Sequence, residues 1–412
     1  SDVYKRQDMY GRVRFYTLGF TIFTVSSALS GIAPNASILI IARLVQGVGG
    51  AMVMVNAVSI VVDTFPTEQL GLGISINFVS WSVASALGYP LTGILLDLFG
   101  WRSLFFINVP VGLVGVVLAQ RLLRESVRTR AAERFDFFGS TLFTLSLALS
   151  LIAISVGDIR ETQNLALLGV GIALLLVFAL VERRQTNPML DMLLLRTKPF
   201  AMGNTASLLY YTAVNSVTFV LAIYLQVIRG LNPLTTGLIL TPMSITNIVA
   251  GPISGKLYDR YGPMRLTLTG LVLGSGTLLW LSTITSETSL VTLTVGMGVL
   301  GVGLGLFGSP NASHVMRSVP AARRGVANGL RTTVNMLGGT VSTPLTFLLM
   351  TLGIPYDSLT RVSSTAQASS AYEMGQLLDG MRIAHLVLGA MAIAGIVPSF
   401  IGTVGRRKRQ TT

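Results

Sequence analysis

Cysteine is missing from all 412 residues, which excludes disulfides, thiolate metal sites and a cysteine nucleophile. Charge is also scarce. Asp, Glu, Lys and Arg together make up 11% of the chain, against roughly a quarter in soluble domains. The acids are fewer than the bases, 17 against 30, and none falls deep inside an apolar run. The only two histidines, His314 and His385, are isolated and sit near run ends, so neither reads as a central titrating switch. A membrane enzyme would need a nucleophile with its base, or an acidic metal cluster, and neither is present as a motif.

What fills the chain is apolar, 51% of residues. It falls in blocks such as Leu142–Val156, Leu165–Val181 and Leu266–Leu281, each near the ~20 residues that cross a bilayer as a helix. Only helices satisfy their own backbone there, so the expected class is an all-α integral membrane protein. About twelve spans follow, with cores at 15–33, 38–62, 72–95, 103–121, 137–156, 165–181, 200–228, 234–255, 265–284, 289–312, 325–352 and 382–404. The net charge of +13 does not imply a nucleic-acid partner, because that needs a basic face on a soluble domain. Instead the bases alternate between loops. One set of loops and the tail carries 21 Lys and Arg, while the other carries only Arg102, Arg160, Arg229, Arg361 and Arg382. The rich set is cytoplasmic by the positive-inside rule, which puts both ends of this stretch inside and the protein in the cell membrane. The loop Asp63–Gly71 is the exception, cytoplasmic by alternation yet without a base.

The opening SDVYKRQ resembles one reading frame of a sequencing-library transposon adapter. Residues 1–7 are therefore expected to be an artefact at a truncated end, with one or two spans preceding Asp8. From there, two turns repeat a pattern: Asp8-Met-Tyr-Gly11-Arg12-Val-Arg14, and Gly255-Lys-Leu-Tyr-Asp259-Arg260-Tyr-Gly262-Pro-Met-Arg265. Each combines an acid, a glycine three residues on, and bases between two spans. The glycine permits a tight reversal, the Asp faces a helix N-terminus, and the Arg pairs with it or snorkels. The competing account is an ordinary positive-inside turn, but the recurrence favours a duplicated bundle.

The second turn resembles the G-x-x-x-D-R-x-G-x-x-[RK] signature of the major facilitator superfamily, and the first resembles the same signature cut before its opening glycine. Ile41-Ala-Arg43-Leu-Val-Gln46-Gly47-Val-Gly49-Gly50 is similar to the family's arginine-bearing helix motif, and Gly88-Tyr-Pro90-Leu-Thr-Gly93 to its antiporter motif. Trp101-Arg102, Phe106-Ile107-Asn108-Val109-Pro110 and Phe135-Asp136-Phe-Phe-Gly139 resemble segments of the fourteen-helix drug:proton antiporter branch. Tyr89 and Ile94 stand where the antiporter motif usually has glycine, and the arginine usual at Asn335 is here Arg331. The resemblance covers residues 8–404. It implies fourteen helices, twelve of them present: 8–134 as the rest of the N-terminal bundle, 135–198 as an extra central helix pair with linkers, 199–404 as the C-terminal bundle, and 405–412 as a basic cytoplasmic tail. It further implies proton-coupled transport of a small organic solute by alternating access, with no cofactor or metal. Any titrating acid would then have to lie upstream of Asp8.

A charge at a helix centre costs roughly 2.5–3.5 kcal/mol on insertion scales, which makes embedded ionisable residues functional candidates. Arg43 is the clearest, with Gln46 beside it. The resemblance assigns it to proton or substrate coupling, while snorkelling from the helix end is the alternative. Arg331 is as readily a structural anchor. Polar and aromatic candidates for a substrate cavity are Asn56, Asn77 and Trp81 in the first bundle, and Asn204, Tyr210, Tyr211, Asn215, Tyr224, Gln226 and Asn247 in the second. Such groups fit an amphipathic or cationic molecule through stacking and cation–π contact. Helix-packing hydrogen bonds compete as the account of each. The glycines from Gly296 to Gly308 read as close helix packing. Gly251-Pro-Ile-Ser-Gly255-Lys256-Leu257 is too short for a phosphate loop and lacks its Ser/Thr, which leaves no sign of ATP use. Import of another solute, or a non-transporting receptor or scaffold, stays open at this stage.

Overall fold

The computed structural model describes residues 12–64, 70–123, 137–183, 185, 192–320, 323–365 and 370–404. Asp8, Gly11, the adapter-like residues 1–7 and the tail 405–412 lie outside them. So do the side chains of Arg12, Asn77, Trp81 and Asp259, whose backbones belong to helices. Among the described residues no strand occurs. The chain divides into two compact units, Ser1–Asp136 and Phe137–Thr412.

The first unit comprises α1 (Arg12–Gly31), α2 (Ala36–Thr64), α3 (Leu70–Phe99), the one-turn α4 (Ser103–Phe106) and α5 (Asn108–Leu122). Here α1 packs against both α2 and α5. Small residues let it do so: a methyl group on Gly49 would stand 2.6 Å from the Phe23 nitrogen and 2.8 Å from the Gly19 oxygen, so the two backbones touch, as small-residue interfaces allow. Helix α3 carries Pro90 in its interior and stops at Gly100, whose φ of +74° is left-handed, the usual glycine helix end.

The second unit begins with a hairpin, α6 (Phe137–Ser155) and α7 (Thr162–Glu182). After the short α8 (Met192–Leu195) come α9 (Lys198–Asn215), α10 (Val217–Ile223) and a π-helical turn, Tyr224–Ile228. Next are α11 (Pro233–Leu281), α12 (Leu290–Arg317), α13 (Arg324–Met350), α14 (Tyr356–Thr365), α15 (Ala371–Ala394) and α16 (Ile396–Val404). The α11–α12 pair is the closest packed part of this unit. A methyl on Gly270 would lie 2.6 Å from the Gly303 oxygen, and one on Gly301 would run into the Met243 carbonyl. Thr246 Oγ1 donates to the Gly298 oxygen at 2.8 Å and Ser254 Oγ to the Gly305 oxygen at 2.8 Å, which cross-stitch the same seam. The glycine run thus serves close packing, as its sequence indicated. Tyr210, Phe307, Leu271 and Met297 are fully buried beside it.

The turn expected between 255 and 265 is present as a kink at Gly262 (φ 75°, ψ 166°), where α11 divides into two membrane-length stretches, Pro233–Tyr258 and Arg260–Leu281. Two boundaries differ from the sequence expectation. The last span starts at Ala371 rather than 382. Arg382 therefore lies inside α15, where Nε donates to the Ser282 oxygen at 3.3 Å and Nη1 pairs with Asp379 at 3.1 Å. The short α14 was not anticipated; it buries Leu359 and Val362 and pairs Arg361 with Glu373 of α15. At its start the Tyr356 hydroxyl accepts from the Gly157 nitrogen at 2.8 Å and lies 3.4 Å from the Ser155 oxygen, to which it donates, while its ring meets Phe347 edge-on at 5.8 Å. The end of the α6–α7 hairpin is thereby fastened within the second unit.

Nine helical stretches among the described residues are long and apolar enough to cross a membrane. Helices α1 and α13, at 20 and 27 residues, have the length but are not among the nine, and in α3 the apolar stretch is the shorter Val83–Phe99. In α13 the reason is visible: Asn328, Arg331 and Asn335 recur every three or four residues and give it one polar face.

Candidate coupling and substrate sites

Arg43 lies about two turns into α2. Its Nη1 donates to Gln46 Oε1 at 2.5 Å, and the guanidinium stands 5.7 Å from the centre of the Phe105 ring. Gln46 is 2% exposed, and its amide in turn donates to Ser27 Oγ of α1. The spacing of three residues puts Arg43 and Gln46 on one helix face, and the buried Ser27 is the right size to end the chain. The result is a polar relay, guanidinium to amide to hydroxyl, crossing from α2 to α1. Asn56, two to three turns further along α2, is fully buried, and its Nδ2 bonds back to the Met52 oxygen at 2.7 Å. Its Oδ1 has no hydrogen-bond partner.

The second-unit candidates separate into two groups. Tyr210 donates to the Gly270 oxygen at 3.1 Å with its ring 4.7 Å from Phe307, and Tyr224 donates to the Thr285 oxygen at 2.6 Å. Both are fully buried and hold helices together. Asn204 is buried and bonds to the Phe200 oxygen at 2.8 Å within its own helix. The other group is more open: Tyr211, Gln226 and Asn247 are half-buried and Asn215 is exposed. Gln226 falls in the π-helical turn, a deviation frequent at functional sites. Near Tyr211 the structure places Arg331, with Asn335 one turn further along α13; the sequence reading named both but did not group them with the cavity candidates. Arg331 is an electrostatic neighbour of the Tyr211 hydroxyl, its Nη2 donates to Asn328 Oδ1 at 3.2 Å, and its Nε is buried without a partner, as is Asn335 Oδ1. The stripe along α13 was the signal that could have found them.

At the second turn motif, Gly255 packs on Ser309 of α12, where a methyl would stand 3.2 Å from Oγ. Gly262 supplies the left-handed turn, while Arg260 and Arg265 are exposed. The guanidinium of Arg260 lies 5.4 Å from the Tyr261 ring centre and that of Arg317 4.7 Å from the Tyr258 ring centre. In the antiporter-like motif Gly88 and Pro90 are half-buried and Gly93 is buried. A cavity of about 330 Å³ lies between α11 and α12, lined by apolar groups around Trp280. It contains none of the candidate residues.

Long apolar helices crossed by small-residue seams, with arginines on them held by polar neighbours, are the build of a polytopic membrane protein. The family model of the Major Facilitator Superfamily matches residues 6–343, and the chain belongs to that superfamily of membrane transporters. It is 30% identical over 342 residues to the riboflavin transporter RibZ of Clostridioides difficile, covering 82% of this chain and 74% of that protein. It is 32% identical over 338 residues to the multidrug resistance protein Stp of Mycobacterium tuberculosis, covering 81% of this chain and 63% of that protein. In fold it is similar to a bacterial homologue of the human lysosomal transporter Spinster, with a TM-score of 0.66 at 14% identity over 97% of this chain and 84% of that one.

Proposed function

We propose that this transporter exports small amphipathic or cationic organic compounds in exchange for protons, by alternating access in the cell membrane, with both ends of this stretch on the cytoplasmic side. The observation that carries the reading is the Arg43–Gln46–Ser27 relay: a guanidinium on the exposed face of an apolar helix, where insertion disfavours a charge, linked through the buried Gln46 to a neighbouring helix by groups that re-form hydrogen bonds easily. A change in helix position alters that relay, which is what coupling requires. The relationship to a protein named for multidrug resistance supports export. The test is ethidium efflux from vesicles under an imposed pH gradient. Dissipation of the gradient stops flux if protons drive it; flux indifferent to the gradient refutes the coupling.

The relationship to a riboflavin transporter favours a second reading, uptake of a flat vitamin-like solute. Reversing the gradient in the same vesicles distinguishes the two by the direction of net movement. Absence of any solute movement would instead support a receptor or scaffold.

A further inference from the structure

We infer that Arg331 of α13, with Tyr211 of α9 and Asn335 one turn along α13, forms a subsite for an anionic oxygen, of carboxylate type, on an aromatic substrate. The inference rests on the transporter reading above and, of the amphipathic and cationic compounds named there, selects amphipathic compounds that bear an acid group.

Three observations carry it. First, the site is open in its bonding. Arg331 spends Nη2 on Asn328 at 3.2 Å, yet Nε is buried with no partner, and Asn335 Oδ1 is buried with none either. Buried polar atoms are rarely left so, and each such atom calls for a water or a ligand. Second, residues 331 and 335 share one helix face, and the polar stripe that holds them continues to Asn328. Tyr211 belongs to α9, which packs on α13, and is an electrostatic neighbour of Arg331; its hydroxyl lies beside Gly308 of α12, where a methyl would stand 3.0 Å from it. Third, the charge has one sign. Arg331 stays protonated, and no salt bridge to it occurs among the described residues. In a low-dielectric site an uncompensated guanidinium attracts an oxygen anion and repels a cation. Its planar fork suits a carboxylate, the tyrosine hydroxyl donates to the same group, and the Asn335 amide, turned about its last bond, presents its nitrogen as the donor to the remaining edge.

The experiment uses the full protein in lipid nanodiscs and two probes of one aromatic body with opposite charge, 2-naphthoate and 2-naphthylmethylammonium. Binding is read by titration calorimetry against empty nanodiscs. The wild type is expected to bind naphthoate about tenfold more tightly than the ammonium, from one charge-assisted hydrogen bond. Arg331→Gln should remove that preference, and Arg331→Lys, which keeps the charge without the fork, should restore part of it. Should Arg331→Gln fail to fold, Asn335→Ala serves as the second variant, with a several-fold loss for naphthoate and none for the ammonium. A wild type with no preference, or one favouring the ammonium, overturns the subsite, as does an Arg331→Gln or Asn335→Ala variant that binds naphthoate normally. Flux of naphthoate and of ethidium in parallel keeps the outcomes apart: pH-driven flux of either solute without a naphthoate preference in binding removes the subsite alone, whereas pH-driven flux of neither removes the transport reading as well.

Discussion

Arg43 in the first unit and Arg331 in the second both sit inside membrane helices, and they are held in opposite ways. The Arg43 guanidinium hands its hydrogen bond to Gln46 and onward to Ser27 of another helix. Arg331 is satisfied only by Asn328 of its own helix and keeps a buried Nε in reserve. A closed relay responds when helices shift relative to one another, while an open cation waits for a ligand. The surroundings differ too. About 22% of the most apolar window in Ala36–Ala57 and 11% of that in Ser103–Leu122 is buried within the molecule, against 61% in Lys198–Ile228 and 50% in Leu290–Arg317. Within the second unit the α6–α7 hairpin is as open as the first unit, at 17% for each helix, while Arg331 stands on α13, which packs against the well-buried frame of Lys198–Ile228.

The largest expected effect tests that frame. Gly301→Leu places a side chain against the Met243 carbonyl, so the α11–α12 seam cannot close and the protein should lose its monodisperse, detergent-stable form by size-exclusion chromatography. An unchanged elution profile and melting temperature would show that the seam is looser than drawn. Next, Arg43→Ala should abolish proton-coupled flux with normal membrane insertion, measured by vesicle efflux beside immunoblotting of the membrane fraction; wild-type flux would return Arg43 to simple snorkelling. Ser27→Ala, which removes only the far end of the relay, should slow the same flux several-fold. Smaller again is Asp259→Asn, expected to lower turnover while equilibrium substrate binding stays within a few-fold, because the turn motif governs motion rather than affinity. Unaltered turnover speaks against that role. The smallest effect belongs to Tyr356→Phe: about 1 kcal/mol of stability from the lost hydroxyl bonds, read as a modest fall in melting temperature with flux preserved.

Legibility in the sequence followed distance along the chain. The helical class and most span positions were readable, since each span carries its own apolar signal, and Arg43 with Gln46 was readable because three residues suffice to align them. Ser27 was not, lying 19 residues away on another helix. Tyr210 and Tyr224 read as cavity residues because an aromatic ring with a hydroxyl looks the same in sequence whether it meets a substrate or a carbonyl oxygen 60 or 61 residues away. The start of α15 was missed because Glu373, Asp379 and Arg382 make its first turns resemble a loop. Only the folded chain shows these charges pairing with Arg361, with each other, and with the Ser282 carbonyl. Arg331 stood in plain view, but the empty valence that makes it interesting is a property of its neighbours.

The Tyr356 contact bears on how the α6–α7 hairpin travels. Its tip is held by one phenol that bonds Gly157 and Ser155 at once, some two hundred residues away in sequence. A hairpin secured in this manner is a passenger of the second unit: whatever stroke that unit makes carries the hairpin along like a keel, adding drag and breadth in the lipid without adding a joint.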